Sequence, residues 1–259
     1  MNEIILPFSH ITMQINPIAF HLFGVPIYWY AIFIVASLGI AMFAYYKNDK
    51  KFGVRYDDII DLSLILIPVS FISARIYYVV FNLQSYTSFS QMLNIKDGGL
   101  AIYGGIIGGA ITAYLFCKKR KLSFLNLADY VIPYVSLGQA IGRWGNFVNA
   151  EAYGGVTDLP WKMGVYTKQG LQYVHPTFLY ESIADFLIFL LLIKLSKNRK
   201  YEGQILLTYL MAYSLIRFFI EGLRADSLML GPFRISQMVS GILFLIAIFC
   251  IIGLKKKQK

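Results

Sequence analysis

Seven apolar runs, at roughly 20–46, 58–81, 99–117, 124–142, 177–195, 203–222 and 235–254, set the limits on what this 259-residue chain can become. A run of about 17 to 25 apolar residues matches the bilayer core when it is helical. Helix is the form such a run takes in lipid, because every backbone N–H and C=O must then find its partner within the segment. Charged residues make up 15% of the chain, against ~25% in a soluble domain, and the mean hydropathy is +0.58. The expected product is an all-α integral membrane protein, a single polytopic domain over residues 1–259 with about seven transmembrane helices.

A net charge of +10 would suit a nucleic-acid partner if the basic residues shared one surface. They fall instead into four separate blocks: Lys47, Lys50, Lys51 and Arg55; Lys118, Lys119, Arg120 and Lys121; Lys194, Lys197, Arg199 and Lys200; and Lys255, Lys256, Lys257 and Lys259. The blocks follow spans one, three, five and seven, whereas the segment before span one has no Lys or Arg. Cationic connections stay in the cytoplasm, so the N-terminus is expected outside and the C-terminus inside. These blocks hold sixteen of the 24 basic residues, and no nucleic-acid partner is expected. Residues 1–17 lack the cationic start of a cleavable signal peptide and carry Glu3, so the first span serves as the insertion signal. Cys117 and Cys250 fall near cytoplasmic ends, where a disulfide is not expected. His10, His21 and His175 are scattered, and neither a zinc motif nor a phosphate loop is present, so no metal or nucleotide cofactor is expected.

With that topology, the uncommon polar residues of the spans collect at one depth. Arg75 comes late in span two and Tyr103 early in span three. The polar, glycine-rich stretch GRWGNFVNAEAYGG, Gly142 to Gly155, follows span four and supplies Arg143, Asn146, Asn149 and Glu151. His175 and Glu181 open span five, and Arg217, Glu221 and Arg224 close span six. All lie at the outer face, where charge is costly unless it meets a partner or a polar cavity. Arg217, Glu221 and Arg224 share a helix face, and a purely structural ion-pair ladder is one reading of that trio. Counted together, four arginines face three glutamates, so the layer should attract an anion. A lipid phosphate, which arginine holds in bidentate fashion, is the abundant anion at that depth.

Other polar residues have plainer roles. Asp129 and Asp185 are expected to be buried hydrogen-bond partners, and Asp57, Asp58 and Asp61 suit the N-terminus of span two. Gly104 with Gly108, and Gly105 with Gly109, are small-xxx-small pairs that let helices approach closely. Tyr28, Trp29 and Tyr30 start span one at the level of an interfacial aromatic belt. Residues 145–176 form the longest outer connection, expected as a small cap in which stretches such as WKMGVYT make short strands. A transporter for an anionic lipid or solute could use the same arginines, but it would want charge through both leaflets. Apart from Asp129 and Asp185 the inner half of the spans is bare.

The string GRWGNFVNAE resembles the signature of the bacterial prolipoprotein diacylglyceryl transferases, and DGGLAIYGGIIGG from Asp97, HPTFLYE from His175 and RFFIEGLR from Arg217 match further motifs in the family's order. The resemblance runs from about Trp29 through the last span. It implies an enzyme of the bacterial plasma membrane, working at the outer leaflet. Such an enzyme moves the diacylglyceryl group of phosphatidylglycerol to the lipobox cysteine of a lipoprotein precursor, makes a thioether and releases glycerol phosphate. Neither metal nor nucleotide is implied. By position, Arg143, Asn146, Asn149, Glu151 and Gly154 belong to the signature, and Tyr30 matches the tyrosine that opens span one. His175, Tyr180 and Glu181, and Arg217, Glu221 and Arg224, match the motifs on spans five and six. Arg143 and Arg217 are expected to bind and stabilise the phosphate, supported by Arg224 and Arg75. Asn146, Asn149 and Glu151 would order the loop and orient the headgroup glycerol.

The chain departs from the family at Tyr103, where many members carry histidine. Tyrosine side chains lose their proton near pH ~10, so they are poorer bases than histidine. Either Tyr103 binds the headgroup by hydrogen bond, or a cationic neighbour makes it partly phenolate; His175 and the substrate phosphate are the other acceptors for the thiol proton.

Overall fold

In a computed structural model the chain is mostly helical. The structure describes residues 2–7, 11–94 and 98–257; His10, Asp97 and Lys259 lie outside them. In chain order the elements are β1 (Asn2–Leu6), β2 (Ile11–Ile15), β3 (Ile18–Leu22), β4 (Val25–Tyr28), α1 (Trp29–Lys47), α2 (Tyr56–Phe81), the short α3 (Phe89–Leu93), α4 (Ile102–Arg120), α5 (Phe124–Asn149), β5 (Met163–Thr167), β6 (Gly170–Val174), α6 (Thr177–Lys197), α7 (Gln204–Leu223), β7 (Met229–Leu230), β8 (Phe233–Arg234) and α8 (Ile235–Lys257). Each of the seven apolar runs therefore contains one long helix. Four helices, at Trp29–Lys47, Tyr56–Phe81, Gln204–Leu223 and Ile235–Leu254, are long and apolar enough to cross a membrane.

The chain divides into two compact units, residues 45–130 and residues 1–44 with 131–259. In the first, α2 packs on α4 through the glycine pairs. A Cβ on Gly104 would lie 2.5 Å from the Ser73 carbonyl and 3.0 Å from the Ala74 Cα, and one on Gly109 would lie 2.9 Å from Ser70 Oγ. The small-residue stripe is thus a contact surface on which backbone meets backbone. Gly104→Leu is expected to force the helices apart and to cost at least ~1–3 kcal/mol of overpacking, seen as a lower melting temperature of the detergent-solubilised protein. At the other end of these helices Arg120 pairs with Asp61 and stands 3.8 Å from Asp58. Asp58 also caps α2 by accepting from the Arg55 N–H at 3.2 Å. The aspartates therefore tie α2 to α4 as well as suiting the helix dipole.

In the second unit strands appear where only helix was expected. Residues 20–28 belong mostly to the β3–β4 hairpin, so the first helix starts at Trp29 and not near residue 20. The reason is local: Phe23 and Gly24 turn with φ of 50° and 81°, and Pro17 and Pro26 oppose helix. Residues 2–15 add a second departure. Strands β5 and β6 form inside the expected cap, but they pair into one antiparallel sheet of order β2-β1-β5-β6, with Ile4 opposite Val165. Half of that sheet comes from the N-terminal segment.

The sheet has a core of Ile4, Met163, Val165 and Val174, closed by Phe147 and Val148 of α5 and Phe178 of α6. The Phe147 and Phe178 rings lie 4.7 Å apart, and Asn2 Nδ2 donates to the Val148 carbonyl at 2.9 Å near the end of α5. The core thus holds together the end of one helix and the start of another.

Candidate functional site

That anchoring explains where the polar signature sits. Residues 145–149, expected to open a connection, are the last turn of α5. The helix continues because Phe147 and Val148 are buried against the sheet, and regular backbone stops only where Ala150 and Ala152 take φ of 51° and 57°. Spacing by three puts Arg143, Asn146 and Asn149 on a common face. Glu151 Oε1 accepts from Asn146 Nδ2 and from Asn149 Nδ2, each at 3.1 Å, and Asn146 Oδ1 lies 3.5 Å from Arg143 Nη1. The Tyr30 ring covers Gly145, where a Cβ would meet Tyr30 Cε2 at 3.0 Å.

Gly154 joins three segments. Its N–H donates to the His175 carbonyl at 2.9 Å, and the N–H of Gly155 donates to the Leu223 carbonyl at 2.8 Å. A Cβ on Gly154 would lie 2.6 Å from His175 Cβ and 2.8 Å from the Leu223 carbonyl. Both are too close for any side chain, so Gly154→Ala must push the His175 strand away from the end of α7. We expect ~1–3 kcal/mol of destabilisation together with loss of function, measured as a lowered melting temperature and a raised KM.

The ends of α5, α6 and α7 meet in a charge cluster. Glu181, 3% exposed, pairs through Oε2 with Arg143 and through Oε1 with Arg217 Nη1 at 2.7 Å. Arg224 Nη1 stands 3.6 Å from the same Oε1. Arg217 Nη2 reaches Glu221 Oε2 at 2.5 Å, and Arg224 grips Asp226 with two bonds of 3.0 and 2.8 Å. Three guanidiniums thus face Glu181, Glu221 and Asp226. The four arginines that the sequence sets against three glutamates do not all meet here: Arg75 belongs to the unit of residues 45–130, Asp226 joins the cluster, and Arg143, Arg217 and Arg224 each have a carboxylate partner.

Asp226 and Arg234 were missed in the sequence. Asp226 sits two residues past the end of its motif. Arg234, which ends β8 just before α8 and bonds the Glu221 carbonyl, was a basic residue in a connection otherwise poor in them.

Beside the cluster, Trp161 Nε1 donates to Tyr180 Oη at 2.7 Å, and Tyr180 Oη lies 3.4 Å from His175 Nδ1. A cap aromatic thereby orders the residue that touches His175. Deeper on α6, Asp185 is 1% exposed; its carbonyl accepts from Ser136 Oγ at 2.7 Å, while its Oδ2 has no hydrogen-bond partner among the described residues. The hydroxyl expected on its carboxylate is therefore on its backbone.

Two expected site residues belong to the unit of residues 45–130. Tyr103 lies in the first turn of α4 and is 38% exposed. Arg75 is buried, and its five N–H groups all go to carbonyls: Met92 at 2.9 Å, Gly98 at 2.8 Å, Gly99 at 2.9 Å, Gln91 at 3.0 Å and Asn94 at 2.7 Å. It clamps the loop that leads into α4. A phosphate would find no spare donor on it.

The family described as prolipoprotein diacylglyceryl transferase matches residues 17–253. The chain is 50% identical over 243 residues to the phosphatidylglycerol–prolipoprotein diacylglyceryl transferase of Clostridioides difficile (strain 630), covering 93% of this chain and 96% of the relative. It is 46% identical over 242 residues to the protein of that name from Finegoldia magna, covering 93% and 96%. With the one from Clostridium novyi (strain NT) it shares 43% over 251 residues, 94% and 98% of the two chains. A match of this extent makes the chain a member of the prolipoprotein diacylglyceryl transferase family.

Proposed function

We propose that this membrane enzyme transfers the diacylglyceryl group of phosphatidylglycerol to the lipobox cysteine thiol of a lipoprotein precursor. The observation that carries the reading is the convergence of Arg143, Arg217 and Arg224 on one buried carboxylate, Glu181. Guanidiniums are the donors suited to hold a phosphate in bidentate fashion. All seven long helices span the bilayer in this reading, with the N-terminus outside. The basic blocks at the ends of α1, α6 and α8 lie in the cytoplasm, and the opposite helix ends carry the site. Residues 145–176, with β1 and β2, form the outer cap.

In the reaction the cysteine sulfur attacks the glyceryl carbon that bears the phosphate. The S–C bond forms, the C–O bond breaks, and its electron pair leaves on the oxygen of glycerol phosphate. Charge grows on that oxygen in the transition state, so Arg143 and Arg217 stabilise it most when it matters. A free thiol, with a pKa of ~8.5, is a few per cent ionised at neutral pH; its proton passes to Tyr103, His175 or the phosphate. Asn146, Asn149 and Glu151 orient the headgroup glycerol, Tyr30 closes the wall at Gly145, and Arg75 holds the loop before Tyr103.

The test is incubation of the purified protein with phosphatidylglycerol and a lipobox peptide. Gain of one diacylglyceryl unit on the peptide cysteine, with release of glycerol phosphate, is the expected result. No transfer by folded protein, with anion flux in liposomes, would replace the enzyme by a transporter.

A further inference from the structure

Glu181 takes hold of the same two arginines that the proposed function assigns to the phosphate. Its two oxygens lie on guanidiniums from different helices, Oε2 on Arg143 of α5 and Oε1 on Arg217 of α7, with Arg224 3.6 Å away. A phosphodiester presents its two non-bridging oxygens to a pair of arginines in the same manner. On Arg217 both terminal nitrogens are taken, Nη1 by Glu181 and Nη2 by Glu221. A phosphate that takes hold of both terminal nitrogens therefore competes with the two carboxylates already on them. The neighbouring arginines are committed as well, Arg143 to Glu181 and Arg224 to Asp226, so an incoming anion meets guanidiniums that already carry carboxylates.

Glu181 is the one suited to withdraw. Glu221 is also held in place through its backbone carbonyl, which receives Arg234 and, at 3.4 Å, Ser227 Oγ. Asp226 is tied to Arg224 by two bonds. Arg217 and Arg224 each keep a carboxylate of their own when Glu181 leaves, and Arg143, 21% exposed at its side chain, is then free to meet the lipid.

We propose that Glu181 is a resident stand-in for the phosphate: it holds Arg143 and Arg217 in the lipid-free enzyme, gives them up to phosphatidylglycerol, and by reclaiming them expels glycerol phosphate. This rests on the assignment of those arginines to the lipid phosphate. The role is one of competition, and it sets the opposite sign from a scaffold residue. Removing a scaffold loosens binding, whereas removing a competitor tightens it.

The test compares the full-length protein with Glu181→Gln in transfer from phosphatidylglycerol to a lipobox peptide, and measures binding of glycerol phosphate alone by calorimetry. Loss of one desolvated competing carboxylate is expected to tighten glycerol phosphate about tenfold and to lower the KM for lipid by a similar factor. kcat should fall while the first turnover stays fast, giving a burst of about one product per enzyme, because release becomes limiting. Glu181→Asp keeps the charge on a shorter stem and competes less well, so it should bind glycerol phosphate more tightly than wild type but less tightly than Glu181→Gln. Unchanged or weaker binding of glycerol phosphate by folded Glu181→Gln overturns the proposal. If Glu181→Gln does not fold, Glu181→Asp decides, since tighter glycerol phosphate binding than wild type supports competition and weaker or equal binding refutes it. Absence of transfer by the wild-type protein would sink the proposed function itself, while tighter anion binding in Glu181→Gln would still support the stand-in role.

Discussion

Arg143→Ala is expected to abolish thioether formation while leaving the protein folded. Arg143 stands at the edge of the cluster, with Glu181 and Asn146 as its partners, so truncation leaves a carboxylate that Arg217 and Arg224 still neutralise. What is lost is a donor aimed at the leaving phosphate oxygen. A group of that kind contributes about 10²- to 10³-fold to kcat, or ~3–4 kcal/mol in the transition state. Single-turnover transfer to a lipobox peptide measures it, beside a melting curve that should move little. Arg143→Lys should recover only part, because an ammonium supplies charge without the planar fork. Near-normal transfer by Arg143→Ala would remove Arg143 from the chemistry.

Arg217→Ala should fail for a different reason, and earlier. Its side chain is 17% exposed and bridges Glu181 and Glu221, whose side chains are 4% and 2% exposed. Removing the cation leaves Glu221 buried without its partner, while Glu181 keeps Arg143 and, at 3.6 Å, Arg224. Breaking a buried pair in this way costs ~3–5 kcal/mol, a large share of the ~5–15 kcal/mol that keeps a domain folded. Low yield and a sharply reduced melting temperature in detergent are expected. Changing Glu221 to Gln in the same protein should restore folding in part, since it removes one uncompensated charge, but it should not restore transfer. Activity in that double variant would show that Arg217 serves structure alone. The two arginines thus separate by experiment: one is lost from the reaction, the other from the fold first.

The paired state of these arginines also changes how the departure at Tyr103 bears on catalysis. The sequence places an anion-attracting excess near the outer surface, which would favour a phenolate among free cations. Arg143, Arg217 and Arg224 are each paired with a carboxylate, and Arg75 donates all its N–H groups to the carbonyls of Gln91, Met92, Asn94, Gly98 and Gly99. Under the proposed function, hydrogen bonding to the headgroup is then the simpler role for Tyr103.

Several features were legible in the sequence for reasons of solvent. Apolar runs of this length in an uncharged stretch must be helical in lipid, and each of the seven runs holds a long helix. Gly104 and Gly108 were readable as a packing stripe because their spacing is a property of one helix. The string from Gly142 to Glu151 carried the family through residue identity alone. Boundaries were less legible where two forces compete. Residues 20–28 are as apolar as a span yet turn back as a hairpin, and residues 145–149 look like a loop yet stay helical because the sheet buries Phe147 and Val148.

What only the tertiary structure decided is which distant residues meet. Strand β1 pairs with β5 across some 160 positions, and no local pattern in residues 2–6 names that partner, since strand pairing is set by the packed face and not by the strand's own sequence. The same holds for charge. From the sequence, arginines and glutamates are expected to gather at one depth, because span length and basic connections set depth in a membrane. Their pairing depends on how α5, α6 and α7 pack. That packing brings Arg143 and Arg217 onto Glu181 and gives Arg217 a second carboxylate in Glu221.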